Sequence, residues 1–114
     1  ASPTPFRADE SYDADTHRAL IEWYVDHGLH GVLVNGTTGE WFSQTTDERR
    51  RVAETVLDAA AGRLTVVVGC TAYTAREAGE LARHAVAAAT VDLPTPPLPV
   101  KRRILTTRAT PRAS

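Results

Sequence analysis

The sequence predicts an α/β fold with a parallel sheet, on three observations. Two short runs, Gly31-Val32-Leu33-Val34-Asn35 and Leu64-Thr65-Val66-Val67-Val68-Gly69, are rich in β-branched and apolar residues and read as buried strands. Each leads to a segment of helical periodicity that opens on a capping signature. The two runs stand roughly 30 residues apart, the length of a right-handed βαβ crossover, so the strands are expected side by side and parallel, with helices covering them.

The elements follow in order. From Asp15 to His27 the residues Leu20, Ile21, Tyr24 and Val25 share one helical stripe, with Asp13 or Asp15 to cap it and Gly28 to end it. The first strand follows. Thr45 with Glu48 three residues on forms a capping box, and the helix it opens runs through Ala60 with Val52, Val56 and Leu57 inward, closed by Gly62. After the second strand, Thr74 and Glu77 form another such box at the head of an alanine-rich helix reaching about Ala89. Beyond it the pattern fails. Pro94, Pro96, Pro97 and Pro99 oppose helix and central strand, so coil or extended structure is expected in an irregular Pro/Arg-rich tail, residues 90–114.

At 114 residues the chain has the length of one domain, and 42% hydrophobic with 24% charged residues is a globular composition. A net charge of −1 gives no electrostatic reason to expect nucleic acid or membrane as a partner. The tail carries Lys101, Arg102, Arg103, Arg108 and Arg112 without an acidic residue from Leu93 onward, yet it has no aromatic side chain for base stacking. Cys70 is the only cysteine, which excludes an intrachain disulfide and favours a reducing compartment. With no apolar run of about 20 residues and no signal-peptide pattern, a cytoplasmic location is expected. The sequence contains no methionine, which suggests a processed start, a trimmed chain or an incomplete coding region.

Chemistry is expected where the first strand ends. Gly36-Thr37-Thr38-Gly39 follows it directly, and in a parallel α/β sheet ligands bind at the carboxyl ends of strands. Gly36 and Gly39 are expected to supply backbone angles closed to other residues, letting amide N–H groups converge while Thr37 and Thr38 add hydroxyl donors. A carboxylate or phosphate suits such a loop. Taken alone, the same glycines would also suit a plain strand exit.

Thr4-Pro5-Phe6, a helix ending in His27-Gly28, Val34-Asn35-Gly36-Thr37-Thr38-Gly39-Glu40, Asp47-Glu48-Arg49 and Gly62-Arg63-Leu64-Thr65-Val66-Val67-Val68-Gly69 occur in one order along the chain. In that combination residues 4–89 resemble the dihydrodipicolinate synthase and N-acetylneuraminate lyase family. The resemblance implies a partial TIM (βα)8 barrel, its first two to three βα units, with residues 1–89 as the amino-terminal segment. Thr4-Pro5-Phe6 then falls just after barrel strand one, the Gly36 loop after strand two and Gly69 at the end of strand three. A closed barrel of this kind needs about 250 residues.

The activity implied is that of a class I aldolase-type lyase or synthase, in which pyruvate or a related 2-keto acid forms a Schiff base with a lysine on a later strand. By the same resemblance Thr37 and Thr38 bind the keto-acid carboxylate, the Thr37 hydroxyl joins a proton relay, and Gly36 and Gly39 are conformational. Glu40 is expected to be a buried brace for the loop. The expected partner is a small keto acid, relatives are commonly tetramers, and neither a cofactor nor a metal is expected. A free-standing anion-binding module or a truncated non-catalytic fragment is the alternative.

The remaining candidates are read more plainly. Lys101 is the sole lysine and lies off any apolar strand that would lower its pKa, so it reads as a solvated tail charge. Tyr73 does not match the position of the family's acid-base tyrosine. Trp41 and Phe42 are bulkier than the residues many synthases carry there and are read as core packing rather than substrate contacts, and Trp23 and Tyr24 as core or subunit contacts. Cys70 is expected to be a buried small hydrophobe. His17, His27, His30 and His84 lack metal-ligand spacing and are assigned to the surface or to helix ends. Arg49-Arg50-Arg51 is read as a solvated helix face. Residues 90–114 depart from the family pattern, for which a disrupted coding frame near residue 90 is the expectation, and an open parallel sheet is expected to aggregate through its edges.

Overall fold

A computed structural model describes residues 1–90 and, as backbone, Ile104–Thr107. Helix α1 spans Ala14–Asp26, strand β1 Gly31–Val34, helix α2 Thr46–Ala60, strand β2 Thr65–Gly69, helix α3 Ala75–Ala89 and strand β3 Ile104–Thr107. A single 3-10 turn, Trp41–Ser43, stands between β1 and α2.

Each helix begins where a side chain can satisfy an orphan backbone donor. Of the two aspartates that suited the role, Asp13 caps α1: its carboxylate accepts from the Thr16 amide at 3.1 Å and from the Thr16 hydroxyl at 2.7 Å. Gly28, at φ 74°, ends the helix by donating to the Val25 carbonyl. At α2 both halves of the capping box form, Thr45 Oγ1 accepting from the Glu48 amide and Glu48 accepting from the Thr45 amide. The box expected at α3 is only half made. Thr74 accepts from the Glu77 amide, but the Glu77 carboxylate turns away to accept from the Thr46 hydroxyl at 3.1 Å, linking the starts of α2 and α3. At the other end of α2, Ala61 itself takes the left-handed cap conformation at φ 48°, ahead of Gly62 at φ 78°.

The sheet is parallel throughout, in the order β1-β2-β3. Gly31 pairs with Thr65 and Val34 with Val68, while Val66 pairs with Ile104 and Gly69 with Thr107. Strand β3 lies within residues 90–114, the stretch expected to be coil or extended. Ile104-Leu105-Thr106-Thr107 is a run of four consecutive apolar or β-branched residues, and β2 offers it a row of unpaired backbone groups. The rest of that tail, Lys101 included, lies outside the described residues.

Burial along the strands alternates rather than running continuously. Val32, Val34, Val66 and Val68 are buried against the helices with Ile21, Val52, Val56, Leu81 and Ala85, whereas Leu33 and Val67 on the opposite face are only half-buried. Among the described residues the helices therefore cover one face of the sheet. The amino-terminal segment lies along β1, with the Ser2 amide donating to the Leu33 carbonyl at 2.8 Å, and Phe6 bridges Tyr12 across a turn.

One histidine departs from its expected surface position. His17 is fully buried on α1, one turn before Ile21, and its Nδ1 meets the Tyr12 hydroxyl at 2.7 Å. Its Nε2 has no partner, and burial pushes the imidazole down to about 4. His84, by contrast, pairs at the surface with Glu54 at 2.8 Å.

Candidate functional site

Because β1 and β2 are parallel and in register from Gly31–Thr65 to Val34–Val68, the segments that leave them emerge at one edge of the sheet. The first carries Asn35 to Thr45, the second Cys70 to Thr74. Thr37 and Thr38 are both exposed there. Within the turn the Glu40 amide donates to the Thr37 carbonyl at 3.0 Å and the Trp41 amide to the Gly36 carbonyl at 3.4 Å. Among the described residues, the amides of Thr37, Thr38 and Gly39 and the hydroxyls of Thr37 and Thr38 make no hydrogen bond.

The glycines act differently from expectation. Neither Gly36 nor Gly39 has a positive φ; the left-handed residues are Asn35 at φ 57° and Glu40 at φ 55°, on either side of the turn. What the glycines supply is room. A Cβ on Gly39 would stand 3.1 Å from both the Asn35 amide nitrogen and Thr4 Oγ1, and one on Gly36 would stand 3.0 Å from the Leu33 side chain. The tightest approach is at Gly69, where a Cβ would lie 2.3 Å from the Asn35 carbonyl oxygen, inside any tolerable contact. The end of β2 is thus pressed directly against the exit of β1.

Buried and half-buried side chains brace the turn from behind. Thr4 Oγ1 donates to the Gly39 carbonyl at 2.8 Å, and Gln44 Nε2 donates to the same oxygen at 2.8 Å and to Asn35 Oδ1 at 3.2 Å. Asn35 is buried, and its Nδ2 donates to the Arg49 carbonyl at 3.0 Å. Its short amide side chain also makes it one of the few residues that tolerate the left-handed region. Glu40 does not take the bracing part expected of it. It is exposed, takes a left-handed backbone and forms no capping hydrogen bond.

Arg49 also departs from its expected place. Instead of joining Arg50 and Arg51 on a solvated face, it is 3% exposed, with Nη1 donating to the Thr71 carbonyl at 2.7 Å and Nη2 to the Gly69 carbonyl at 3.0 Å. Burial lowers its pKa from the ordinary arginine value, against smaller opposing influences from Cys70 and Glu77. The helix stripe carried the signal: Arg49 lies three and seven residues before Val52 and Val56, on the face that must turn inward.

Aromatic side chains gather beside this arginine. The Trp41 ring centroid lies 5.2 Å from the Arg49 guanidinium carbon, 5.5 Å from the Tyr73 ring and 6.0 Å from the Phe42 ring. Trp41 is half-buried, but Phe42 is 55% and Tyr73 86% exposed, so core packing does not describe Phe42. Trp23 is likewise exposed and stacks on His27 at 3.9 Å. Cys70 is fully buried, and burial pushes its thiol up, away from reactivity at neutral pH. Among the described residues no three His, Cys, Asp or Glu side chains come together to hold a metal ion, and no helix is long and apolar enough to cross a membrane.

Residues 1–92 match the model of the dihydrodipicolinate synthetase family. An uncharacterized DapA-like lyase of Rhizobium meliloti is 46% identical over 87 residues, covering 76% of this chain and 29% of that protein. Among solved structures, dihydrodipicolinate synthase from Aquifex aeolicus superimposes with a TM-score of 0.74 at 38% identity, over 77% of this chain and 30% of that one. The prophage protein YagE of E. coli K12, a member of the dihydrodipicolinic acid synthase family solved in complex with pyruvate, gives a TM-score of 0.73 at 32% identity, over 76% and 29%. The chain spans less than a third of the length of the curated relatives it matches.

Proposed function

The chain belongs to the dihydrodipicolinate synthetase family, and on that premise we propose that its Thr37–Thr38 turn binds the carboxylate of pyruvate or a related 2-keto acid. In this reading it is the acid-binding part of a lyase or synthase whose chemistry runs through a Schiff base. One observation carries the proposal. Two exposed threonines and three amides without a partner stand together at the carboxyl edge of a parallel sheet, on a turn fixed from behind by hydrogen bonds from Thr4 and Gln44. A carboxylate there would accept charge-assisted bonds, each roughly twice as strong as a neutral one. A turn already held in place would need little reorganisation to make them. The likeness to a structure that contains pyruvate supports the same acid.

Thr37 is given a second part, passing a proton through its hydroxyl while the amides hold the acid. Gly36 and Gly39 serve by leaving the turn close to Leu33, Thr4 and Asn35. Titration calorimetry with pyruvate tests the binding reading. Saturable heat is expected, with affinity reduced about tenfold or more in Thr37→Val and Thr38→Val, since each removes one hydroxyl partner of a charged group. Unchanged affinity in both variants would overturn it.

A second reading has its own observation. Residues 1–90 contain no lysine, and a Schiff base needs an amine nucleophile. The chain would then bind the anion without covalent chemistry. Borohydride added to the pyruvate complex tests for covalent chemistry in this chain itself: saturable binding without an adduct is what the anion-binding module predicts, and a trapped adduct found by mass spectrometry would overturn it.

A further inference from the structure

We propose that Arg49 is the positioning residue of the Thr37–Thr38 turn, holding the exits of β1 and β2 in the relation that anion binding requires. The inference rests on the carboxylate reading above but has an arm that stands without it. Arg49 is a buried cation whose two described side-chain hydrogen bonds go to main-chain carbonyls of the following unit, Gly69 and Thr71, and none to a carboxylate. Burying a charge is costly, and its fork is aimed at groups whose position fixes the β2 exit. From the same residue a chain of contacts runs into the turn. The Arg49 carbonyl accepts from Asn35, Asn35 accepts from Gln44, and Gln44 donates to the Gly39 carbonyl. The guanidinium also faces the Trp41 ring, two residues beyond Gly39.

Two independent ties therefore meet at one side chain. Its guanidinium fork fixes the second exit, and its contact with Trp41 fixes the far end of the turn. The Gly69 approach to Asn35 leaves no room between the two exits, so a shift of either displaces the other. Arg49 itself contacts no group proposed to touch the ligand; its effect passes through the turn.

The test compares the intact chain with Arg49→Lys, which keeps the charge but lacks the planar fork, and with Arg49→Gln. Pyruvate affinity is read by titration calorimetry, and native-state amide hydrogen exchange is read at Glu40, Trp41 and Gln44 against Val66 and Val68 in the sheet. Both variants are expected to bind pyruvate about tenfold more weakly, and to lose protection about tenfold at the three turn amides while the sheet amides hold theirs. Arg49→Lys binding within about twofold of the parent, with turn protection intact, would overturn the proposal. So would equal loss of protection in turn and sheet, which marks a merely structural residue. If the parent itself fails to bind pyruvate, the carboxylate reading falls, and selective loss of turn protection in Arg49→Lys still decides for positioning. Should Arg49→Gln not fold, Arg49→Lys carries both measurements.

Discussion

Buried neutral His17 makes the stability of this fold depend on acidity in a defined window. In the unfolded chain its imidazole takes up a proton near 6.5, but in the folded chain it does so only near about 4, because it is fully buried. Above 6.5 both states are neutral and the residue adds no pH dependence. As pH falls below 6.5 the unfolded state binds a proton that the folded state refuses, so stability declines until about pH 4. At about 1.4 kcal/mol for each pH unit, the gap amounts to about 3 kcal/mol. That is a large share of the roughly 5–15 kcal/mol that stabilises an ordinary domain. Asp9, Asp13 and Glu22 also accept hydrogen bonds and have lowered values, but starting from 3.8 to 4.5 they lose their contribution at more acid pH. Urea unfolding followed by far-UV circular dichroism, repeated from pH 7 to 4.5, isolates the histidine. The parent should lose about 2 kcal/mol over that range and His17→Gln almost none. Equal slopes in the two proteins would refute the reasoning.

Three further outcomes follow from the geometry. Gly69→Ala should cost about 2–3 kcal/mol in urea unfolding, because its methyl group meets the Asn35 carbonyl at 2.3 Å, and it should abolish pyruvate binding along with it. Ala61→Gly should stabilise the chain by about 1 kcal/mol in the same assay, since Ala61 holds a left-handed backbone that glycine adopts without penalty. Thr45→Ala should cost about 1 kcal/mol by removing the acceptor for the Glu48 amide, visible as a lower urea midpoint at unchanged slope.

The sequence showed most of what is local. Thr45 and Glu48 announce the start of α2 three residues apart, and the runs of valine mark β1 and β2 without help from the rest of the chain. Two of its failures share a cause, which is that the deciding partner lies far away in sequence. Arg49 looks solvated beside Arg50 and Arg51 until Gly69 and Thr71 arrive from the next unit to receive it. Glu77 completes a capping box on paper, but Thr46 offers its carboxylate another hydrogen bond. His17 shares the helical phase of Ile21, yet burial of an imidazole becomes tolerable only once Tyr12 supplies a hydroxyl. The glycines of the turn invited a reading by backbone angle, whereas their neighbours Asn35 and Glu40 carry the unusual angles and the glycines yield space. The pairing of Ile104–Thr107 with β2 depends on a sheet edge that no local pattern reveals.

The double grip of Arg49 on the main chain of the following unit sets the smallest portable version of this turn. Grafting Gly36 to Gly39 alone onto another scaffold would carry the hydroxyls but leave behind what gives them their aim. A transplant would have to run from Thr4 through Thr71, so that the arginine travels with both carbonyls it grips, with the threonine that holds Gly39 and with the glycine that lets the two exits touch.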